Sequence, residues 1–149
     1  MNLKNDTFVH RDFHVSNLMK YKKKLATIDT QDALIGNKAY DLASLIDDVR
    51  FKSNKKLKDR IYNYYAKLNN KRINKVTLLN DFEILSVLRN MKIIGIFARL
   101  ALRDKKMKYL KLIPYAWKLI ELRTKNNKIF SNFKSLLDLN FSKKLRNFK

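Results

Sequence analysis

The sequence of 149 residues contains no cysteine, one proline and only two glycines. Without cysteine the chain can form neither a disulfide framework nor a cysteine-containing zinc site, and a reducing compartment fits. Glycine, serine and proline nowhere gather into a linker, and no internal repeat is visible. The length is that of one domain with a core of its own, so we predict a single domain over residues 1–149.

Long apolar runs are absent as well. The stretch Ile93–Ala98 is strongly apolar, but Arg99 follows it at once, so the sequence predicts no membrane-spanning helix. The first six residues contain no apolar segment of the kind found in signal peptides, which argues against secretion. We therefore expect a cytoplasmic protein.

Acidic residues are few, because 13 Asp and Glu stand against 34 Lys and Arg and leave a net charge of +21. Such an excess is typical of proteins that bind nucleic acids or anionic membranes. Here, however, lysine is spread along the whole chain, whereas specific nucleic-acid interfaces combine clustered arginine with aromatic residues. We expect no specific nucleic-acid partner. A non-enzymatic basic helical module that binds nucleic acid is the alternative function.

A polar motif stands near the start of the chain. His10, Asp12 and Asn17 form a His-x-Asp-x4-Asn pattern, and Asp29 follows after a short gap. Phosphoryl transfer of the kinase type needs a carboxylate that orients the attacking hydroxyl and takes its proton. It also needs an amide oxygen and a second carboxylate that hold Mg²⁺ against the nucleotide phosphates. We predict Asp12 as the catalytic base and Asn17 and Asp29 as metal ligands. Capping or turn roles would explain each residue singly, but not their joint spacing.

The flanking residues predict the local structure of this motif. Thr7–Val9 is a short β-prone run that ends at His10. Asn17–Tyr21 and Leu25–Asp29 are two more, and the lysines between them suit the turn of a hairpin. Because the strands of a hairpin are antiparallel, its two ends lie close together. Asn17 and Asp29 should therefore converge on one metal ion.

Beyond residue 38 the apolar residues recur at helical spacing. We predict helices over Asp41–Phe51, Leu57–Leu68, Leu78–Leu102, Tyr109–Leu122 and Lys128–Leu139. Gly95 should mark close packing against another helix, because glycine costs about 1 kcal/mol relative to alanine in an exposed helix interior. The basic tail, residues 142–149, is predicted to be frayed. The fold class that follows is α+β, mostly α, with a catalytic loop and a β-hairpin packed on a helical bundle.

The residues around the motif carry a family resemblance. Asp29–Gly36 and Ala39–Leu45 resemble the corresponding segments of the aminoglycoside phosphotransferase/choline kinase superfamily. The bacterial cell-wall sugar kinases that phosphorylate N-acetylmuramate and N-acetylglucosamine at the anomeric hydroxyl carry segments similar to Gln31-Asp32-Ala33, Asp47-Asp48-x-Arg50 and Arg89–Leu100. The resemblance runs from about Phe8 to about Leu139, which is nearly the whole chain.

This resemblance implies a phosphotransferase that uses ATP and Mg²⁺ to phosphorylate a small hydroxylated substrate, an amino sugar of cell-wall recycling. It implies the same roles for Asp12, Asn17 and Asp29 as the chemistry does. Asp41 would cap the helix that follows it while it packs beneath the catalytic loop. Candidate substrate-site residues are Asp32 and Arg99. The side chains expected to support the catalytic loop are those of His10, Arg11, His14 and Asp41.

Protein kinases share the His-Arg-Asp-x4-Asn pattern, but two of their other motifs are missing. They follow the catalytic loop with Asp-Phe-Gly, where this chain has Asp29-Thr30-Gln31. They also carry an Ala-Pro-Glu segment, and the single proline of this chain is Pro114. The sequence therefore does not predict a protein kinase.

The resemblance also implies a missing part. Kinase-like enzymes grip ATP with an N-terminal sheet, a phosphate-covering loop and a lysine, all ahead of the catalytic loop. The seven residues that precede Phe8 are too few to supply them. The chain is thus predicted to be the C-terminal lobe of a protein-kinase-like fold. It would be a fragment of a longer enzyme, one half of a split enzyme with a separate N-terminal lobe chain, or an inactive remnant. A lone lobe should expose the apolar surface that faces its partner lobe.

Overall fold

The computed structural model describes residues 3–69, 74–125 and 127–148, and helices dominate them. The strands are β1 (Thr7–Val9), β2 (Leu18–Tyr21), β3 (Lys24–Thr27) and β4 (Leu34–Gly36). The helices are α1 (Ala39–Ile46), α2 (Lys55–Leu68), α3 (Lys75–Leu102), α4 (Ile113–Thr124), α5 (Ser131–Asn140) and α6 (Lys143–Arg146). The predicted α+β class, mostly α, is confirmed.

The chain divides into two compact units, Met1–Leu85 and Ser86–Lys149, with the boundary inside α3. The polar motif lies wholly in the first unit. The prediction that residues 1–149 form a single phosphotransferase lobe stays a prediction.

The first sheet consists of β1 and β4, which pair antiparallel with Phe8 opposite Ile35. Side chains alternate between the two faces of a strand, so Val9 is buried while Phe8 remains exposed. A methyl group on Gly36 would come within 2.5 Å of the Val9 side chain. The glycine therefore lets β4 approach β1 closely enough to cover Val9.

The predicted hairpin is present. β2 and β3 pair antiparallel from Leu18 opposite Thr27 to Tyr21 opposite Lys24, which leaves two lysines in the turn. Lys22 has a φ of 54°, the left-handed conformation of a tight turn. Every residue of the two strands except Leu18 is exposed. The prediction that the hairpin packs on the helical bundle is therefore wrong for the described residues, because its apolar side chains meet no covering element there.

The core of the first unit lies where α1 meets the start of α3. Its buried side chains are Ala39, Leu42, Ala43, Ile46, Leu78, Phe82 and Leu85. α1 ends at Ile46, earlier than predicted, although Val49 beyond its end is also completely buried. The predicted apolar spacing thus marks the buried residues correctly but overstates the length of the helix.

α2 begins with a side-chain cap and is tied to α1 by a buried ion pair. The Asn54 side chain accepts a hydrogen bond from the backbone N–H of Leu57 at 2.9 Å, as an N-cap residue does. Lys58 Nζ donates to the Asp47 carboxylate at 2.7 Å and to the Ile46 carbonyl at 2.9 Å. The lysine thereby satisfies both a buried carboxylate and an unpaired carbonyl at the end of α1.

α2 buries less of its apolar face than the sequence predicts. Ile61 and Tyr65 are half-buried, whereas Tyr64 is 64% exposed and Leu68 is 66% exposed, although all four recur at helical spacing. They line a groove of about 400 Å³ together with Phe8 and Phe13.

α3 contains Gly95, and the expected close packing at this glycine is wrong. Apart from its own helix backbone, a Cβ atom placed on Gly95 meets no atom of the described residues within 4 Å. The residue is exposed, because it lies on the opposite side of α3 from the buried Ile93 and Phe97. Among the described residues, no helix is long and apolar enough to cross a membrane.

The second unit gathers around α4. Pro114 stands in the first turn of this helix, where its missing N–H costs nothing, so it opens the helix rather than kinking it. Trp117 is buried against Phe141 and the guanidinium of Arg146. Arg146 also pairs with Asp138 at 2.7 Å.

The basic tail differs from the frayed segment that was predicted. Residues 143–146 form α6, Ser142 caps that helix, and Arg146 is buried. The side chain of Arg146 reaches Glu121 as well as Asp138, and these contacts anchor the segment. Residue 149 lies outside the described residues.

Candidate active site

The loop that follows β1 is held by Asp41. The two oxygens of this carboxylate accept hydrogen bonds from the backbone N–H groups of His10 at 2.7 Å and Arg11 at 3.0 Å. Asp41 lies in the first turn of α1, where the exposed N–H groups of a helix favour a negative charge. The N-cap position is Lys38, which makes no side-chain cap. Asp41 thus contacts the loop through two backbone N–H groups but does not cap the helix with its side chain. Its role in supporting the catalytic loop stays a prediction.

Arg11 has a left-handed backbone with a φ of 71°. This conformation is uncommon for residues other than glycine, so neighbouring contacts must hold it. The hydrogen bond to Asp41 is one such contact. The consequence is a sharp change of chain direction immediately before Asp12.

The backbone carbonyl of Asp12 is hydrogen-bonded within the loop, whereas its carboxylate is not. Its carbonyl oxygen accepts hydrogen bonds from the His14 N–H and from Asn17 Nδ2, each at 3.0 Å. Its half-buried carboxylate bonds to no other residue that the structure describes. The loop therefore fixes the position of Asp12 and leaves both carboxylate oxygens available to a substrate.

Backbone hydrogen bonds join the segments that carry Asn17 and Asp29. The N–H of Ile28 donates to the Asn17 carbonyl at 3.1 Å, which extends the β2–β3 ladder by one step. The Ile28 carbonyl lies 2.9 Å from His10 Nε2 and accepts a hydrogen bond from it in the tautomer that carries a hydrogen on Nε2. The N–H and the carbonyl of Ile28 are thus both hydrogen-bonded to the catalytic loop. These bonds fix the backbone position from which the next residue, Asp29, extends.

Asp29 is the second left-handed residue of this region, with a φ of 68°. Its side chain is exposed, and its Oδ1 accepts a hydrogen bond of 2.5 Å from Gln31 Nε2. A turn closed by the Ala33 N–H and the Thr30 carbonyl keeps Gln31 close to Asp29. Gln31 is thus a neighbour of the Asp29 carboxylate, whose two oxygens both keep lone pairs for a cation.

The residues present fit a magnesium ion. Asn17 donates its amide nitrogen to the Asp12 carbonyl, which leaves its amide oxygen free to bind a metal, and a backbone hydrogen bond joins Asn17 to Ile28, the neighbour of Asp29. Mg²⁺ prefers oxygen ligands, and protein sites commonly supply one or two of them while phosphates and water supply the rest. In the described parts of the chain, no group of three or more His, Cys, Asp or Glu side chains could hold a metal ion without such help.

The other predicted site residues lie in several places. His14 is buried within the catalytic loop. Asp32 is exposed in the turn after Asp29. Arg99 is exposed on α3 in the second unit. Arg103 forms a two-point ion pair with its neighbour Asp104, and this hydrogen bonding lowers the pKa of the Asp104 carboxyl below its usual value. That pair is an ordinary surface contact between neighbours in the sequence.

Two residues of this region were not predicted as site residues from the sequence. Gln31 contacts Asp29, a predicted metal ligand, and the resemblance of its segment to a known family gave no sign of that contact. The buried Asn37 donates to the Asp81 carboxylate at 2.8 Å and to the Lys4 carbonyl at 2.9 Å, and it accepts from the Ala39 N–H at 2.9 Å. It thus fixes the start of α1, from which Asp41 reaches the loop. No local pattern could reveal this, because Asn37 and Asp81 are 44 residues apart.

Comparison with known proteins places this site in a family. Residues 2–73 match the phosphotransferase enzyme family, a stretch that includes β1, the catalytic loop, the hairpin and α1. The predicted resemblance is confirmed.

Three characterised proteins share sequence over most of the chain, and each is named N-acetylmuramate/N-acetylglucosamine kinase. The protein of Neisseria meningitidis is 38% identical over 112 residues, which are 72% of this chain and 34% of the relative. That of Caulobacter vibrioides is 30% identical over 74% of this chain and 31% of the relative. That of Pseudomonas aeruginosa is 34% identical over 76% of this chain and 35% of the relative. The chain therefore spans about a third of the length of the relatives it matches.

Proposed function

Because residues 2–73 match the phosphotransferase enzyme family, we propose that this chain carries the catalytic loop of an ATP-dependent phosphotransferase. One observation supports the proposal most directly. Hydrogen bonds from Asn17 to the Asp12 carbonyl and from Ile28 to the Asn17 carbonyl bind the three predicted site residues into one local unit. A set of unrelated capping and turn residues would not require that connection.

Asp12 is the catalytic base in this proposal. Its carboxylate orients a substrate hydroxyl and takes the proton while the hydroxyl oxygen forms a bond to the γ-phosphorus of ATP. The bond from that phosphorus to the bridging oxygen breaks, and ADP leaves. Asp41 contributes by fixing the backbone on the N-terminal side of Asp12, so that the carboxylate does not have to be ordered when the substrate binds.

Asn17 and Asp29 would hold Mg²⁺. When bound, the ion would neutralise the charge that develops on the nucleotide phosphates. Asn17 would supply its amide oxygen and Asp29 its carboxylate.

The substrate proposed for this chain is an amino sugar of cell-wall recycling, N-acetylmuramate or N-acetylglucosamine, phosphorylated at its anomeric hydroxyl. The names of the three relatives support this choice. Asp32 and Arg99 are the candidate substrate contacts. The cytoplasm stays the predicted compartment.

The nucleotide-gripping lobe would come from the part of the relatives' length that this chain does not span, either in the same polypeptide or in a separate chain. The first unit exposes apolar side chains that such a lobe could cover. On the hairpin 69% of Tyr21 and 75% of Leu25 are exposed, and on the first sheet 65% of Phe8 and 62% of Ile35 are exposed. Exposed apolar patches of this kind commonly mark contact surfaces.

The intact mass of the protein in its own cells is the first measurement. A mass near 17.8 kDa means that the lobe must come from a partner chain, which co-purification should then recover. A larger mass means that the assay belongs on the longer polypeptide. In either case the assembled protein should transfer phosphate from ATP to N-acetylmuramate or N-acetylglucosamine.

The decisive variant in that assay is Asp12→Asn. It keeps the size of the side chain but removes its basicity, so turnover should fall by about 100-fold or more while the fold stays intact. Asp59→Asn, an exposed carboxylate of α2, is the matched control and should leave turnover unchanged. Substantial turnover in the Asp12 variant would overturn the catalytic assignment. If the assembled wild-type protein transfers no phosphate, the chain is better explained as an inactive remnant of a kinase.

A further inference from the structure

The second unit contains a cavity of about 360 Å³ that none of the predicted site residues lines. It lies among α4, α5 and α6, and its volume is within the range of about 300–1,000 Å³ that is usual for small-molecule sites. The buried side chains of Trp117, Ile120 and Leu137 form the apolar part of its wall. The cavity is therefore large enough for a small organic molecule.

Arg146 binds both acidic side chains of the cavity wall. Its guanidinium donates to Glu121 at 3.2 Å and to Asp138 at 2.7 Å, and it lies over the Trp117 ring at 5.3 Å from the ring centroid. The arginine is buried, whereas the two acidic residues are exposed. Because two carboxylates and an aromatic ring hold Arg146, it forms a fixed part of the wall.

Three lysines surround the same cavity. Lys125 follows α4, Lys134 lies in α5 and Lys143 begins α6, so three separate elements bring them to one place. Each lysine is exposed, and none of them forms an ion pair with another residue that the structure describes.

The acidic residues of the second unit do not neutralise these lysines. That unit contains three acidic residues, of which Asp104 pairs with its neighbour Arg103 while Glu121 and Asp138 pair with Arg146. In the cavity wall, the lysines therefore outnumber the single negative charge that two carboxylates and one arginine leave. Like charges gathered around one space repel each other, and a bound anion would relieve that repulsion.

We propose that this cavity binds a small phosphorylated organic molecule. Lysine binds phosphate as a point charge with several N–H donors, so the phosphate group would lie among the three lysines. The organic part of the ligand would lie against the apolar wall formed by Trp117, Ile120 and Leu137. Every residue in this proposal belongs to the second unit, so the proposal does not depend on the predicted catalytic motif in the first unit.

The test is ligand binding to the full chain at physiological ionic strength, followed by NMR. The chain has a single tryptophan, so the indole N–H of Trp117 gives one signal that reports on this cavity. Phenyl phosphate is the probe, and phenol and inorganic phosphate each represent one half of it.

The variants in this test remove two lysines at a time. Lys134→Ala with Lys143→Ala takes two positive charges from the cavity wall. Lys111→Ala with Lys118→Ala is the matched control, because both of these lysines are exposed in the same unit and neither lines the cavity. An unchanged indole signal in each ligand-free variant shows that the packing of Trp117 on Arg146 is intact.

Phenyl phosphate should shift the indole signal of the wild type to saturation. Phenol and inorganic phosphate should each bind about 10-fold more weakly or worse, because one lacks the charge and the other lacks the apolar part. The cavity variant should bind phenyl phosphate about 10-fold more weakly than the wild type, since each exposed ion pair contributes about 2- to 5-fold. The matched control should bind like the wild type.

Three results would contradict the proposal. If phenyl phosphate produces no saturable shift of the indole signal, the cavity is not a binding site. If the cavity variant and the matched control bind equally well, the attraction comes from the overall charge of the chain and not from the cavity lysines. If inorganic phosphate binds as tightly as phenyl phosphate, the organic part of the proposed ligand is wrong.

Discussion

Asp41 illustrates how one side chain can order a catalytic loop without touching a substrate. Each of its oxygens serves a different backbone N–H, so the carboxylate replaces two hydrogen bonds that the turning chain cannot make to itself. Hydrogen bonds to a charged acceptor are stronger than those between neutral groups. The loop ahead of Asp12 is therefore ordered by an interaction with a residue 30 positions away.

The corresponding prediction concerns Asp41→Asn. Asparagine has one acceptor oxygen, and its amide nitrogen would face a backbone N–H, so one part-buried donor loses its partner. The free energy of unfolding should drop by about 1–3 kcal/mol, measured by denaturant titration. The exposed substitution Asp59→Asn should change it by less than about 0.5 kcal/mol. A loss no larger than that of the control would mean that Asp41 does not stabilise the loop.

Some of these residues can be predicted from the sequence and others cannot, for a physical reason. Asp12, Asn17 and Asp29 are recognisable as candidates because phosphoryl transfer demands their chemistry in that order. The left-handed backbones of Arg11 and Asp29 leave no mark in the sequence, since neither residue is a glycine. The same holds for Gln31, whose contact depends on the shape of a turn.

The long helix α3 carries a weak point of its own. Gly95 lies in its exposed interior, where glycine loses more backbone entropy on folding than alanine and offers no side chain in return.

Gly95→Ala should therefore stabilise the protein by about 0.5–1 kcal/mol, seen as a higher denaturant midpoint with an unchanged slope. The opposite is expected for Gly36→Ala, because the added methyl group would collide with Val9. This second glycine substitution serves as the contrast. A destabilising Gly95→Ala would show that the residue packs against something that the described residues do not reveal.

Among the helices and strands, the spacing of apolar residues predicted the elements that do not depend on contacts with distant parts of the sequence. The hairpin, α2 and α3 were predicted from alternation or helical spacing, and all three are present. β4 was missed, because three residues give too short a pattern and the strand exists only through pairing with β1. α6 was missed for a similar reason, since its anchor is the contact of Arg146 with residues of α4 and α5.

The whole molecule is dominated by its charge. A net charge of +21 on 149 residues creates a long-range field that attracts polyanions whatever their sequence. This attraction is distinct from the chemistry of the site. It depends on the release of counterions, so it weakens steeply with salt.

We expect strong retention on heparin at low ionic strength and elution well below 1 M salt, where the screening length is about 3 Å. Asp12→Asn should elute close to the wild type, since it raises the net charge of +21 by only one. Retention that persists at high salt, or that differs between nucleic acids of equal length and different sequence, would favour the nucleic-acid-binding module instead.

The two backbone amides that donate to Asp41 can report on the opening of the loop without any substrate. An N–H group bonded to a carboxylate exchanges its hydrogen with solvent only when that bond opens. The exchange rates of the His10 and Arg11 amides therefore record how often the loop leaves its ordered state. Because one carboxylate holds both groups, the two rates should fall and rise together, and their agreement would identify the opening of the loop as a single event.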